Sequence, residues 1–433
     1  MKKLAALIGA AMVGGLGLAG AAAAQSVVIA NAHIIDGAGR VIERGSVVAR
    51  DGKIVSVGPG APRDVPAGAT TIDAAGMTVM AGFIDAHRHI IRGPADAWLK
   101  NEAPRNMREF LEGGFTTIYS MADDPKGILE LRRRLQAGEI LGPRLFAVKV
   151  LPLNRPASPP PPRPAGPPVD PARTDASRAP RLATALAIPD EESRAAVQQA
   201  KREGFDAIKT FMVRTPDGPE IHTLSVIADE GRKQGLRTFT HAVTVEDALA
   251  SVEAKTDTLA HTPHIGSLVG DQANIDRIAK AGIPMVSTLA VFIPHFDKGN
   301  RPLFRDGAVF PWANLESGGQ GPVNARLLWQ DGITYAYGTD TTWLPRESLA
   351  DELRALQTMF SPVDIVKIMG PNAAIAIGKQ DQLGTLEPGK TADLVILRGD
   401  PLADVEALLR VVAVVKDGKV VVDHRNGRAA QRR

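Results

Sequence analysis

The chain has 433 residues, with 51 Lys and Arg against 48 Asp and Glu, a net charge of +3 and no cysteine. That length exceeds one average domain and suits a large α/β barrel with an accessory module, while the near-balanced charge argues against nucleic acid as a partner. The lack of cysteine excludes disulfides, thiolate nucleophiles and cysteine-ligated zinc, leaving His, carboxylate and modified Lys as metal ligands.

The chain opens with Lys2 and Lys3, a Gly/Ala/Leu-rich run over residues 4–24, and the small-residue site Ala22-Ala23-Ala24 before Gln25. This is the layout of a secretory signal peptide over residues 1–24, and it predicts export to a periplasm or medium. An uncleaved anchor is the alternative, for which the run is short and rich in Gly and Ala. Beyond Gln25 no apolar run of membrane-spanning length follows, so no stable membrane insertion is expected once the leader is removed.

Residues 25–79 hold short alternating apolar segments at 27–30, 46–48, 54–57 and 70–72, broken by Gly, Asp and Pro, which read as antiparallel strands. Residues 382–425 have the same texture, in Gly384-Thr-Leu-Glu-Pro-Gly-Lys-Thr-Ala-Asp-Leu-Val-Ile-Leu397 and in 411–422. The two ends are therefore expected to build one discontinuous β-sandwich. Between them, over 80–381, apolar runs at 83–89, 116–120, 145–150, 207–211, 238–242, 258–261, 285–289 and 333–340 alternate with helical patterns such as 190–204. Eight strands alternating with helices predict a TIM-type (β/α)8 barrel. Eleven of the 32 prolines fall in 152–180; such a segment favours extended, exposed backbone, either covering the cavity or inserted passively.

His87, His89, Lys209, His241, His261 and Asp340 lie in or at the ends of those runs. Strand ends of a parallel barrel converge on one cavity, so residues distant in sequence can share an ion there. His87 and His89, two residues apart, share one face of a strand, and Arg88 faces the other way. Each residue also has an ordinary reading: Lys209 as core structure, His241 and His261 as core histidines, Asp340 as the cap of the following helix.

The run Gly82-Phe-Ile-Asp-Ala-His-Arg-His-Ile90, with the segment from Gly384 to Leu397, resembles the amidohydrolase superfamily, with a texture similar to its imidazolonepropionase and Xaa-Pro dipeptidase branch. The resemblance covers nearly the whole mature chain. It implies that His87 and His89 bind one metal, that Lys209 in Asp-Ala-Ile-Lys-Thr-Phe bridges two, that His241 and His261 bind the second, and that Asp340 in Tyr-Gly-Thr-Asp completes the set. An ammonium repels cations, so Lys209 bridges only when carbamylated by carbon dioxide. Two divalent ions about 3.5–4 Å apart, zinc being the expected metal, would share a water whose pKa falls toward neutrality. The bridging hydroxide is the expected nucleophile and Asp340 the catalytic proton acceptor.

Tyr119, ending the second strand, and His264, after the sixth, are placed for substrate contact, with packing roles as the alternative. His222 and His295 fall in connecting segments. Two departures from the family pattern bear on specificity. The Gly/His-rich loop of related dipeptidases is replaced by the proline-rich segment, and Thr244 stands where deaminases of the superfamily carry an acid. The sequence thus predicts an exported binuclear enzyme cleaving a C–N amide bond in a small molecule: a dipeptide, N-acyl amino acid or cyclic amide. A lactonase or esterase on the same site and a non-catalytic solute-binding protein remain open, as does self-association.

Overall fold

The computed structural model describes residues 26–156, 185–215, 217–292, 315–342 and 344–425. The signal-peptide segment, most of the proline-rich segment and His295 lie outside the described residues.

The first five strands are β1 (Val27–Ile35), β2 (Val41–Arg50), β3 (Lys53–Pro59), β4 (Thr70–Asp73) and β5 (Met77–Ala81). They join the last three, β16 (Leu394–Arg398), β17 (Val411–Lys416) and β18 (Lys419–Asp423), in an eight-stranded sheet ordered β18-β17-β16-β5-β1-β2-β3, with β4 beside β1. The join is antiparallel: Leu394 to Arg398 pair with Ala81 to Met77. This builds the β-sandwich from both termini. Val27, Ile29, Val47, Ile72, Leu394, Ile396 and Val415 form its buried core, in keeping with the β propensity of branched side chains on a pleated surface.

The barrel strands are β6 (Phe83–Arg88), β7 (Phe115–Ser120), β8 (Arg144–Val150), β11 (Ala207–Phe211), β12 (Arg237–His241), β13 (Thr258–Leu259), β14 (Met285–Val286) and β15 (Tyr335–Ala336), all parallel and in chain order around the sheet. Backbone bonds from Ala86 to Tyr337 and from Thr339 and Asp340 to His87 close the seam. The last three strands pair regularly for only two residues each, shorter than the apolar runs that announce them. Residues 260–261, 287–288 and 337–340 leave the regular ladder, and there His261, Thr288 and Asp340 project.

Helices cover the outside. Asp190–Arg202 begins with Asp190, Glu191 and Glu192 and ends with Lys201 and Arg202, complementing the helix dipole at both ends. The short pair β9 (Arg155–Pro156) and β10 (Ala185–Leu186) frames the proline-rich segment between β8 and that helix. Arg144 ties barrel to sandwich through Asp393, 2.7 Å away, and Asp417. Among the described residues no helix is long and apolar enough to cross a membrane.

Candidate metal centre

A register irregularity between Asp85 and Arg88 interrupts strict alternation along β6, so His87 and His89 face the barrel as Ile84 and Ala86 do, while Arg88 faces outward with Asp85. Gly338 lets the eighth strand come close: a Cβ there would stand 3.0 Å from the His87 backbone nitrogen and 2.4 Å from Val286 Cγ1. Asp340 donates its own N–H to the His87 carbonyl at 2.7 Å and holds φ at +53°. That left-handed turn aims its carboxylate at the histidines.

Asp340 Oδ1 lies 3.0 Å from His87 Nε2 and 2.9 Å from His89 Nε2, and His261 Nδ1 is 3.8 Å from Asp340 Oδ2. Potential ligand atoms of His87, His261 and Asp340 all lie within 4.8 Å of one another. Lys209, buried on β11, brings its Nζ to 3.3 Å from His87 Nε2. His241, ending β12, stands edge-on to His261 with ring centres 4.3 Å apart. The six residues that the sequence singled out as ligands therefore form one cluster: His87, His261 and Asp340 converge, and His89, Lys209 and His241 each contact one of these three.

The protonation pattern fits a cation. His87 Nδ1 donates to the Ala260 carbonyl at 2.9 Å, which leaves Nε2 as a lone pair. Burial, with Lys209 adding to it, holds the His87 pKa down to about 4, so at neutral pH its Nε2 and the Asp340 carboxylate are two acceptors facing each other. His261 Nε2 is buried with no hydrogen-bond partner among the described residues, and its Nδ1 is engaged by Thr288 Oγ1 at 2.9 Å. Buried lone pairs without a donor are costly unless a metal takes them. Burial also pushes His241 down to about 3 and Lys209 down to about 7. An amine neutral near physiological pH is a competent nucleophile toward carbon dioxide.

Residues 78–421 match the amidohydrolase family. The chain belongs to that family. It is accordingly a metal-dependent hydrolase acting on carbon–nitrogen bonds. An imidazolonepropionase of Symbiobacterium thermophilum is 26% identical over 419 residues, covering 88% of this chain and 91% of the relative. An imidazolonepropionase of Shouchella clausii is 30% identical over 205 residues, 46% of this chain and 40% of that protein. A Xaa-Pro dipeptidase crystallised with methionine in its active site superposes with a TM-score of 0.73 at 20% identity, covering 92% of this chain and all of that one. That likeness establishes the shared fold.

The expected substrate contacts fare differently. Tyr119 is not at the cavity: its ring stacks on Phe146 and leans on Phe239, and its hydroxyl donates to the Ile377 carbonyl at 3.3 Å. Alternation from the inward residues of β7 sends it into the barrel core, and burial raises its pKa well above the usual phenol range. His264 is buried in the wall beyond β13, stacked on Phe292 at 3.7 Å. His222 sits on the outer surface, paired with Asp190 at 2.8 Å. Thr244 caps the helix Val245–Glu253 through the Asp247 N–H.

Several neighbours of the site escaped the sequence reading. Asp123 accepts the N–H groups of Ile90 and Ile91, fixing the chain just past His89. Thr288 orients His261. Phe211, 42% exposed, lies 5.2 Å from the His241 ring, two residues beyond Lys209 on the same strand. Period-two alternation from Lys209 would have found Phe211; nothing local marks Asp123 or Thr288.

Proposed function

We propose that this chain is a binuclear metal-dependent amidohydrolase that cleaves the C–N bond of a dipeptide, N-acyl amino acid or cyclic amide. His87, His89, His241, His261 and Asp340 serve as ligands and a carbamylated Lys209 as the bridge, with zinc as the metal. The observation that carries the reading is the buried Lys209 amine, pushed down to about 7 and set 3.3 Å from His87 Nε2. Carbamylation joins that nitrogen to carbon dioxide with loss of a proton, turning a cation that repels metals into a bridging carboxylate.

Divalent ions held by these residues would supply an activated water and would polarise the substrate carbonyl. The protein's own part is orientation and proton traffic. Ala260 fixes the tautomer of His87, and Thr288 engages the Nδ1 of His261. Asp340 accepts the proton of the attacking water and passes it to the departing nitrogen, which cannot leave as an anion. Phe211 beside His241 and Phe292 beside His261 and His264 give the surroundings an apolar character that suits substrates with hydrophobic side chains. Thr244, committed to a helix cap, supplies no acid for deaminase chemistry.

A hydrolysis screen of the metal-loaded protein against dipeptides, N-acyl amino acids, hydantoin-like rings and lactones tests this reading. Amide cleavage is expected. A clear preference for lactones would replace it with an esterase, and ligand binding without turnover with a solute-binding protein. Export belongs to the same proposal and rests on the leader-like first 24 residues; intact mass of protein from the native host should place the mature N-terminus near Gln25, and a Met1 start in the membrane fraction would overturn it.

A further inference from the structure

Arg88 sits between His87 and His89 but belongs to neither side of the cavity. Its guanidinium is buried on the outer face of β6, over the Phe110 ring at 5.1 Å. There the two N–H groups of Nη1 face three hydroxyl oxygens, Thr339 Oγ1 at 3.0 Å, Thr341 Oγ1 at 2.6 Å and Ser348 Oγ at 2.6 Å. Thr339 and Thr341 flank Asp340.

Asp85 completes the arrangement from the same strand. Its Oδ2 accepts the Thr339 hydroxyl at 2.8 Å, and its Oδ1 accepts the N–H groups of Thr339 at 3.2 Å and His87 at 3.1 Å. Between the two clamped threonines, Asp340 adopts φ +53°, which costs a side-chain-bearing residue energy unless its neighbours hold it there. A charged group buried this deeply is itself costly, so its retention needs a return.

We propose that Arg88 is a positioning residue of the metal centre: by gripping Thr339 and Thr341 from the outer face, it holds the left-handed turn that presents the Asp340 carboxylate to His87 and His89. The inference rests on reading Asp340 as a ligand, and it goes further in assigning a role to a residue outside the cavity. Simple stitching of β6 to the helix Pro345–Leu356 through Ser348 would stabilise the fold without tuning the metal.

Zinc affinity by chelator competition, the visible absorption of the cobalt-substituted protein and thermal melting separate these roles in wild type, Arg88→Met, Arg88→Lys and Thr341→Val. Loss of an outer-sphere partner of a metal site typically weakens affinity about 10–100-fold, and Arg88→Met is expected in that range with an altered cobalt spectrum. Arg88→Lys, which keeps charge and donors, should recover much of the affinity. Thr341→Val preserves shape and removes one grip, so it should weaken zinc binding with little change in melting, and it decides the matter if Arg88→Met does not fold. Wild-type zinc affinity and cobalt spectrum in folded Arg88→Met, or in Thr341→Val where Arg88→Met is unfolded, would overturn the proposal. Wild-type protein that takes up no metal would instead overturn the metal-centre reading, and this one with it.

Discussion

Thr288 places its hydroxyl 2.9 Å from His261 Nδ1 while holding φ at +44°, a conformation that β-branched residues rarely adopt. Its N–H is fixed by the Gly338 carbonyl at 2.9 Å. Strain at a buried position next to a proposed ligand indicates a hydroxyl kept for the ring it orients. Thr288→Val keeps the shape and removes the bond. Zinc affinity, measured by chelator competition, is expected to fall about tenfold or more; unchanged affinity would leave the strain without a function.

The proposed mechanism gives Asp340 a proton-transfer role and a ligand role together. Asp340→Asn should lower turnover by at least about 100-fold, the usual scale of lost acid–base catalysis, with circular dichroism unchanged. Near-normal turnover would remove the carboxylate from the mechanism.

Lys209→Ala would delete the proposed carbamylated bridge, which would offset repulsion between two cations. Metal analysis should find two ions per chain in the wild type and fewer in the variant, and short carboxylic acids should restore part of the activity by occupying the vacated position. Full metal content with normal turnover would make Lys209 ordinary core structure.

Glu352 gives a pH prediction away from the ligands. Burial pushes its carboxyl up to about 7, although it accepts the N–H groups of Leu289 at 3.0 Å and Ala290 at 2.8 Å. A raised carboxyl binds its proton more tightly folded than unfolded, so its contribution is full below the unfolded value near 4.5 and is lost as pH rises through about 7. The slope approaches about 1.4 kcal/mol per pH unit inside that window. Urea midpoints between pH 4.5 and 8 should show this loss in wild type and a flatter profile in Glu352→Gln; parallel profiles would disprove it.

The six proposed ligands were legible because each lies in or at the end of an apolar run, and a parallel barrel brings strand ends to one place whatever lies between them. Tyr119 misled for a related reason. It also lies near the end of a run and faces the barrel interior, but it packs at the level of Phe239, two residues short of His241, and its hydroxyl turns to the Ile377 carbonyl.

The sequence by itself determined the architecture, since hydrophobic periodicity is a local property of the chain, and its family resemblance nominated the donor set. The tertiary structure alone decided how those donors are held. Arg88 reaches across 251 positions to Thr339, Thr288 across 27 to His261, and Asp123 back to the amides of Ile90 and Ile91. Such contacts depend on which strands become neighbours when the barrel closes and on the few ångströms by which side chains then approach, and no local pattern encodes them.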